Sequence, residues 1–462
     1  MEQSENSGGN PSLEKEKPAG SAGQSARKRA ARLLKRAILA GYRLLARSLP
    51  VNRRIIVFQS SLGRDAGGNP RAVCNELVRR GLSRRFRCYY ILNEPEKYRG
   101  GLPDGVRPLK NARLKYYFIM ARAGVWVSDT RFQNYMIKRR KTLYIQTWHG
   151  TPLKKLGLDL TSLHMAGGEN LKEYQREFRK NAASWDCLVS QNPFSTEIFR
   201  RAFGFRGRIL EIGYPRNDIL VAARRVESPE GKGAAQRCGA EAEQRNRGWQ
   251  DSERGGEIGG IREKARLACG LPPEKKVMLY APTWRDDAFY SAADYRFETA
   301  MDFEKMREAF GGEYVLLVKY HYMVREHERW NRWPDFVFEA ADGTDISELY
   351  LLADLLITDY SSAMFDYSLL GRPMYFFAYD LEAYRDNLRG FYFDLEQEAP
   401  GPVAATTEEL IEAIRSAHGE IAEQYRERCR RFCGKYNPFD DGRASGKLAE
   451  IILNHAEGGA FR

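Results

Sequence analysis

The segment Tyr144–Gly157, YIQTWHGTPLKKLG, carries the residue types best suited to chemistry in this chain. An apolar, strand-like start runs into His149 and Gly150, so an imidazole stands beside a residue without a side chain. Histidine titrates near neutrality and can accept or donate a proton. The hydroxyl of Thr151 and the charge of Lys154 suit an anionic ligand. The segment therefore predicts a site for phosphate chemistry at the end of a strand.

Three other segments place polar or basic residues where strand-like runs end. YAPTWRDD (280–287), LLVKYH (316–321) and LLITDYSS (355–362) each begin with apolar residues, as a buried strand would. Where a strand leads into a helix, free backbone N–H groups bind phosphate, and serine hydroxyls add donors. The candidate ligands of an anionic substrate in these segments are Arg285, Lys319, His321, Asp359, Ser361 and Ser362.

Structural roles compete with these assignments. Arg285 would equally form an interdomain salt bridge, and His321 would order a loop. Asp359 belongs to the usual helix-capping residue types. Arg216, in GYPRND (213–218), lies in a segment whose proline and asparagine are also typical of a plain turn. A further expected role is that Arg389, in RGFYFD, would close over a substrate.

The composition describes a globular protein with excess positive charge. Its 462 residues exceed what one compact core holds, so two domains are expected. The net charge of +13 suits nucleic acid, an anionic membrane surface or a polyanionic substrate. No zinc-finger spacing, basic zipper or RNA-recognition motif is present, which argues against nucleic acid. The cysteines are scattered, as expected for a reducing cytoplasm, and no DxD-like pair supports a metal site.

The N-terminal region divides into a tail and a basic helix. Residues 1–25 are rich in Gly, Ser, Glu, Lys and Pro and predict a disordered tail. Over 26–49, apolar residues recur at helical spacing with basic residues opposite them, which predicts an amphipathic helix. Such a helix binds an anionic membrane surface or packs on its own domain. No apolar run is long enough to span a bilayer. The predicted apolar face comprises Leu34, Ile38, Tyr42, Leu45 and Leu49.

Strand-like and helix-like segments alternate through most of the remaining chain. This alternation over 50–223 and again over 263–462 predicts an α/β protein with two Rossmann-like, doubly wound domains. Ligands of such sheets bind at the carboxyl ends of the strands, so the two domains should face one cleft. Residues 224–262 are polar and Gly-rich, which predicts a disordered linker or insertion.

Several of these motifs together resemble the CDP-glycerol glycerophosphotransferase family, the teichoic-acid primases and polymerases with a GT-B fold. The resemblance rests on QTWHGTPLKKLG, GYPRND, YAPTWRDD, LLVKYH and the long segment 345–394, and covers most of residues 50–442. Five motifs in the same order are far more specific than any one of them. The resemblance implies that an acceptor hydroxyl attacks the β-phosphorus of CDP-glycerol, that glycerol phosphate is transferred and that CMP leaves.

The resemblance also implies roles for individual residues. His149 is the histidine of the family's WHGTPLK motif and is therefore the general-base candidate. His321 matches the histidine of the KxH motif and would neutralise the pyrophosphate or assist the leaving group. Gly150 would let the backbone approach the substrate. The predicted substrate-binding set comprises Gly150, Thr151, Lys154, Arg216, Arg285, Lys319, Asp359, Ser361, Ser362 and Arg389.

The expected protein is a peripheral enzyme on the cytoplasmic face of the cell membrane. Its donor would be CDP-glycerol, and its acceptor a polyprenyl-diphosphate-linked saccharide or a polyanionic polymer. The sequence does not decide whether the enzyme needs a divalent cation such as Mg²⁺ or whether it forms an oligomer. The number of units added is also open, because longer polymerases of the family carry an additional N-terminal region and the segment 224–262 is atypical.

Three alternatives differ in substrate or in class. CDP-ribitol would replace CDP-glycerol within the same chemistry. Another GT-B enzyme, such as a nucleotide-sugar glycosyltransferase or a 2-epimerase, would share the fold, although the WHGTPLK and TDYSS motifs argue against it. A non-catalytic protein would use the basic helix to bind a membrane or a polyanion, but the histidines and Arg285 in matching motifs favour an enzyme.

Overall fold

The computed structural model describes residues 21–98, 101–162, 170–227, 241–283, 289–291, 294–297, 299–320, 324–327, 332–384 and 390–459. Their α-helices are α1 (Ser21–Ser48), α2 (Gly68–Arg79), α3 (Leu114–Arg122), α4 (Leu171–Ala182), α5 (Pro193–Ala202), α6 (Asp218–Glu227), α7 (Glu241–Ala268), α8 (Phe303–Phe310), α9 (Ile346–Leu352), α10 (Ala363–Tyr367), α11 (Leu381–Ala383), α12 (Leu395–Glu398), α13 (Thr407–Arg415), α14 (Gly419–Tyr436) and α15 (Ala444–Ala456). Their strands are β1 (Asn52–Gln59), β2 (Arg87–Leu92), β3 (Arg107–Lys110), β4 (Ala123–Ser128), β5 (Leu143–Gln146), β6 (Cys187–Ser190), β7 (Arg208–Glu211), β8 (Lys276–Ala281), β9 (Phe289–Ser291), β10 (Asp294–Phe297), β11 (Tyr314–Val318), β12 (Val324–His327), β13 (Val337–Glu339), β14 (Leu355–Thr358), β15 (Met374–Phe377) and β16 (Val403–Ala404).

Two parallel sheets form the two domains. The first domain is built on a seven-stranded sheet of order β3-β2-β1-β4-β5-β6-β7, and the second on a six-stranded sheet of order β13-β11-β8-β14-β15-β16. Every pairing in both sheets is parallel. A small sheet of order β12-β10-β9 accompanies them. The prediction of two doubly wound α/β domains is confirmed.

Both faces of each large sheet are covered, which explains the near-continuous apolar strands. In β1, Ile55 and Val57 belong to one buried cluster, while Ile56 and Phe58 belong to the cluster on the other face. Two further clusters cover the faces of the second sheet in the same way. Because a strand alternates its side chains, burial on both faces demands apolar residues throughout.

The chain passes between the domains twice. Leu220 and Ala223 of α6 lie in the core of the second domain, although the predicted first domain extended to residue 223. Leu448 and Ile452 of α15 lie in the core of the first domain, although they fall within the predicted range 263–462. Helix α6 therefore packs in the second domain and α15 in the first, which is the reverse of the predicted division of the chain.

The described parts of the segment 224–262 are helical, whereas the sequence predicted a disordered linker. Helix α6 extends to Glu227, and α7 begins at Glu241; residues 228–240 lie outside the described part. Ile258 is buried in the core of the second domain, and Arg262 Nε donates to the carbonyl oxygen of Leu351 at 2.9 Å. Tertiary packing at these positions outweighs the low helix propensity of the surrounding glycines.

Helix α1 covers the predicted amphipathic segment 26–49 but uses its apolar face within the protein. Tyr42 is buried, its hydroxyl accepts the N–H of Ile137 at 3.0 Å, and its ring lies 5.4 Å from that of Tyr117 on α3. Leu34, from the N-terminal half of the predicted face, is exposed. The C-terminal half of that face therefore packs on the first domain. Across the described chain, no helix combines the length and apolarity needed to cross a membrane.

Candidate active site at the interdomain cleft

A strained turn presents His149 at the end of β5. Trp148 has a φ of +54°, a left-handed conformation that a bulky residue adopts only when its surroundings enforce it. The side chain of Gln146 accepts the Trp148 N–H at 3.0 Å, and Asn69 Nδ2 donates to the Trp148 carbonyl oxygen at 2.9 Å. Both sides of residue 148 are thus held by buried amides.

The hydrogen bond of His149 fixes the tautomer of its ring. Nδ1 lies 2.8 Å from the carbonyl oxygen of Asp129, at the end of β4. A carbonyl only accepts, so Nδ1 carries the proton of the neutral ring and Nε2 keeps its lone pair. The ring of Trp148 stacks on the imidazole, with 4.4 Å between centroids. Nε2 is therefore the atom that can accept a proton from a substrate.

The surroundings of His149 keep the imidazole neutral. His149 is exposed to solvent, yet protein groups, including the stacked ring of Trp148, cover part of its imidazole. This desolvation lowers the pKa of His149 to about 4, and the positive charges of Arg216 and Arg131 act in the same direction. At neutral pH the ring is therefore a proton acceptor and carries no charge of its own.

Gly150 lies directly against the second domain. A Cβ added to it would stand 2.6 Å from Ser362 Oγ and 3.7 Å from Arg216 Nη2, and its φ is +153°. No larger residue fits this contact without a shift of Ser362. Three predicted site residues from distant parts of the sequence, Gly150, Arg216 and Ser362, therefore meet beside His149.

Arg216 bridges the two domains. Its Nη2 donates to Asp366 Oδ2 on α10, and the side chains are 10% and 1% exposed. Burial disfavours the charged guanidinium, but the carboxylate of Asp366 outweighs this and raises the pKa of Arg216. Asn217 Nδ2 donates to Asp366 Oδ1 at 3.0 Å. Arg216 is thus a fixed positive charge at the cleft, with part of its donor capacity used by the protein.

The hydroxyl of Thr151 contacts protein groups, whereas the sequence predicted that it would bind phosphate. The residue is 1% exposed, and its hydroxyl donates to Gln191 Oε1 at 2.7 Å. Thr151 Oγ1 also accepts from Asn192 Nδ2 at 2.9 Å and lies 3.2 Å from Ser195 Oγ. Protein groups satisfy this buried hydroxyl, so Thr151 anchors the loop that carries His149.

The network behind Thr151 extends to the C-terminal segment. Gln191 Nε2 donates to Asn437 Oδ1 and to Asp440 Oδ2, each at 2.9 Å. Asp440 Oδ1 also accepts the backbone N–H of Tyr214 at 2.9 Å and Asn217 Nδ2 at 3.2 Å. Asp440 therefore joins the loop of His149 to the turn that carries Arg216.

The carboxyl of Asp440 should make stability fall as pH rises. Burial raises the pKa of Asp440 to about 7, whereas the unfolded chain loses the proton near 3.8. The folded state thus binds the extra proton, and the stability it contributes is lost as pH rises through about 7. Replacing Asp440 with Asn should flatten this fall, measured as the urea midpoint between about pH 5 and pH 8.

The neighbouring Asp441 is a matched control for that experiment. It accepts from Lys447 Nζ at 2.9 Å, and although partial burial opposes the shift, its hydrogen bonds and nearby charges lower the pKa of Asp441. Its stabilising contribution is present at neutral pH and is lost in acid. Asp441→Asn should leave the fall toward pH 8 unchanged, and an equal flattening in both variants would contradict the role of Asp440.

The TDYSS motif supplies two different elements. Asp359 is buried, and its two carboxylate oxygens accept the backbone N–H of Thr283 at 2.9 and 3.1 Å. Ser361 Oγ accepts the N–H of Ala363 at 3.2 Å, at the start of α10. Helix α10 continues directly into a 3-10 turn over Ser368–Leu370. Asp359 thus orients the segment that leads to Arg285.

The loop after Gly150 pairs with the second domain. Lys155 N–H donates to the Gly390 carbonyl oxygen at 3.1 Å, and Lys154 Nζ lies 4.8 Å from the centre of the Tyr384 ring. Lys319, which follows β11, is half-buried, and its N–H donates to the Tyr280 carbonyl oxygen at 2.9 Å. Arg285, His321 and Arg389 lie outside the described residues, so their assignments stay predictions.

Four residues that lie at the site were not singled out from the sequence. Asn69 and Asp129 hold the His149 turn, while Asp366 and Asp440 hold Arg216 and its neighbour. The dipeptide Asn69-Pro70 after two glycines signals a helix start, but nothing local indicates its distant partners. These are contacts between residues far apart in sequence, and only the fold brings them together.

A large cavity adjoins the site. It has a volume of about 1650 Å³, and its lining includes Gly68, Arg71, Arg216, Lys264 and Asp345. Helix α2 forms one wall, and α7 with the start of α9 forms another. Among the described residues, no group of His, Cys, Asp or Glu side chains could hold a metal ion.

Two parallel α/β domains that face each other across this cleft define a GT-B-like protein. Residues 42–244 and 258–454 match the family model described as CDP-Glycerol:Poly(glycerophosphate) glycerophosphotransferase. The chain therefore belongs to this family, as the motifs implied.

Relatives and a solved structure agree with this assignment. The chain is 39% identical to a teichoic acid poly(glycerol phosphate) polymerase of Bacillus subtilis (strain 168), over 89% of this chain and 50% of that protein. It is 38% identical to a teichoic acid glycerol-phosphate transferase of Staphylococcus aureus (strain NCTC 8325 / PS 47), over 91% and 98%. The chain thus spans about half of the Bacillus protein and nearly all of the Staphylococcus protein.

The solved structure of the wall teichoic acid polymerase TagF superposes with a TM-score of 0.77 at 32% identity, covering 94% of this chain and 97% of that one. A histidine-to-asparagine variant of TagF soaked with CDPG superposes with a TM-score of 0.78, at the same identity and coverage. The similarity therefore extends across both domains.

Proposed function

We propose that this protein transfers glycerol phosphate from CDP-glycerol to a poly(glycerol phosphate) acceptor in teichoic acid synthesis and releases CMP. The observation that carries the role of His149 is its fixed tautomer, which leaves Nε2 as a proton acceptor at the cleft. The named activities of the relatives support the same substrate class. A neutral imidazole is the form that a general base requires.

The proposed transfer step is the one that the family resemblance implies, with His149 as the base. A terminal hydroxyl of the acceptor attacks the β-phosphorus, and its proton passes to Nε2 of His149. A bond forms between the acceptor oxygen and phosphorus while the bond from phosphorus to the bridging oxygen of CMP breaks. The bridging oxygen keeps the electron pair, and CMP leaves. The imidazolium then returns its proton to solvent, so the site is restored without any other reactant.

Charge on the pyrophosphate requires stabilisation during this step. Arg216 provides a permanent positive charge beside Gly150, and the hydroxyl of Ser362 provides a donor on the facing domain. The motif residues Arg285, His321 and Arg389 complete our proposed cation set. Phosphoryl transfer depends mostly on positioning and on such electrostatic stabilisation.

Release of CMP tests the proposal directly. Purified protein would be given CDP-glycerol with a membrane fraction as the source of acceptor, and CMP would be measured by chromatography. CDP-ribitol and a nucleotide sugar would be tested in parallel. We expect CMP from CDP-glycerol; CMP from CDP-ribitol alone would keep the mechanism and replace the donor. Failure of CDP-glycerol to bind, measured calorimetrically, would overturn the proposal.

We also propose that the acceptor is lipid-linked and that α1 attaches the enzyme to an anionic membrane surface. The outward face of α1, opposite the buried Tyr42, carries the exposed residues Leu33 and Leu44 eleven positions apart, which share one side of a helix. Arg43 and Arg47 are exposed nearby. Leucines flanked by arginines are suited to the boundary between anionic headgroups and acyl chains.

Replacing Leu44 with Asn should weaken membrane binding. The side chain is 68% exposed, so the change removes apolar contact with lipid and leaves the fold intact. The measurement is co-sedimentation with vesicles containing anionic lipid. Leu267→Asn, a change at a leucine of α7 that is 72% exposed, is the control and should bind as the unmodified protein does. Equal binding by both variants would contradict attachment through this face.

A further inference from the structure

Asn69 occupies a position between the two loops that build the site. It is the second residue of α2, is 1% exposed, and belongs to neither the His149 motif nor the Arg216 motif. A buried primary amide is costly unless its donors and acceptor are satisfied. The partners that satisfy Asn69 therefore explain why an amide stands there.

The amide of Asn69 connects the two loops through their backbones. Nδ2 donates to the Trp148 carbonyl oxygen at 2.9 Å and approaches that of Thr147 at 3.5 Å. Oδ1 accepts the backbone N–H of Arg216 at 3.1 Å. One rigid side chain thus holds the peptide that precedes His149 and the backbone of Arg216 at a fixed separation.

The backbone at Trp148 needs this restraint. A left-handed φ is unfavourable for tryptophan and persists only where several contacts impose it. Gln146 restrains the N–H of the residue, and Asn69 restrains its carbonyl. Relaxation of Trp148 would rotate the following peptide and move the imidazole away from the Asp129 carbonyl oxygen, which defines the tautomer of the ring.

We infer that Asn69 is a positioning residue, which fixes the tautomer and direction of His149 relative to the positive charge of Arg216. The inference rests on the proposed role of His149 as general base. Asn69 itself does not contact the reacting atoms; it acts through Trp148 and through the backbone of residue 216. This position requires a side chain that both donates and accepts a hydrogen bond. A carboxylate lacks the donor and an aliphatic side chain lacks both groups, so neither can replace the amide.

Two substitutions separate positioning from packing. Asn69→Ala removes both hydrogen-bonding groups, whereas Asn69→Asp keeps the volume and the acceptor but removes the N–H donor at neutral pH. Asn75→Ala is the matched control, because Asn75 lies on the same helix, is exposed and bonds only Arg71 among the recorded hydrogen bonds of the described residues. Thermal melts identify any variant that loses its fold.

The first readout is kinetic. For both Asn69 variants we expect kcat for CMP release to fall about 10–100-fold, with KM for CDP-glycerol changed less than about twofold, because a misplaced base impairs the chemical step. Asn75→Ala should retain the kcat of the unmodified protein. A kcat unchanged in both folded Asn69 variants would overturn the inference.

The second readout does not depend on activity. Nitrogen-15 NMR of labelled histidine distinguishes a ring protonated at Nδ1 from one protonated at Nε2, and the His149 signals are assigned by their loss in His149→Ala. We expect the Nδ1–H form in the unmodified protein and in Asn75→Ala, and a shift toward the Nε2–H form in Asn69→Ala. An unchanged tautomer in Asn69→Ala would overturn the inference. Full activity of His149→Ala would instead overturn the proposed general base.

Discussion

Replacing His149 with alanine should lower kcat for CMP release by about 10²–10⁴-fold, the contribution typical of general acid–base catalysis. Nε2 is the atom left free to accept the hydroxyl proton, and alanine offers no substitute. The fold should persist, because the imidazole retains solvent exposure and makes one recorded hydrogen bond, to a backbone carbonyl. The measurement is the rate of CMP release with saturating CDP-glycerol.

His418 provides a matched control for this change. It is also an exposed histidine whose Nδ1 lies near a backbone carbonyl oxygen, that of Arg415 at 3.0 Å, but it belongs to the loop before α14. His418→Ala should keep the full rate. Equal losses in the two variants would indicate a general effect of histidine removal, and a normal rate in His149→Ala would exclude this residue as the base.

The pH dependence provides a second test of His149. Because crowding and neighbouring arginines lower the pKa of His149 to about 4, the base is unprotonated throughout the neutral range. The midpoint of the loss of kcat/KM in acid should therefore lie below the ordinary histidine value of 6.5. A loss of kcat/KM with its midpoint at pH 6.5 would show that the catalytic base is not the imidazole of His149 in the surroundings described above.

Replacing Asp366 with alanine should lower the free energy of unfolding by about 3–5 kcal/mol, since it leaves the cation of Arg216 buried without its partner. Asn217 Nδ2 also loses one of its acceptors and keeps Asp440 Oδ1. The turn that carries Arg216 should loosen at the same time, so we expect a reduced kcat in the surviving folded protein. Urea midpoints and CMP release measure the two effects separately.

An exposed ion pair supplies the comparison. Arg307 Nη2 donates to Asp335 Oδ2 at 2.9 Å, with side chains 41% and 60% exposed. Asp335→Ala should change stability by about 0–1 kcal/mol, as solvated pairs do. If Asp366→Ala were no more destabilising than Asp335→Ala, the buried pair would not be a structural link between the domains.

The fold class could be predicted because its signals are local. Alternating apolar strands and amphipathic helices specify doubly wound domains, and both large sheets confirm this. The capping box of Asp345 and Glu348 starts α9 as its spacing indicates. Helix α7 was missed because its glycines suggest disorder, while the packing of Ile258 and Ala265 that stabilises it is visible only in three dimensions.

The motifs contain residues that gather at the cleft, such as Gly150, Arg216 and Ser362, but they do not show how each one is used. Gly150 and Ser362 do approach each other, as their strand-end positions suggested. Thr151 was assigned to phosphate because a hydroxyl beside a lysine suits an anion, yet its hydroxyl is buried among Gln191, Asn192 and Ser195. Whether a polar side chain faces substrate or protein depends on neighbours that local sequence does not reveal.

The return of α15 to the first domain has a consequence for synthesis of the chain. Arg53 in β1 donates to the carbonyl oxygen of His455, 402 positions later, and Leu448 and Ile452 complete a core that begins with Ile56 and Phe58. The ribosome must therefore have reached α15 before the first sheet is fully covered. Until then the part of this apolar face that α15 covers stays exposed to solvent, chaperones and other chains.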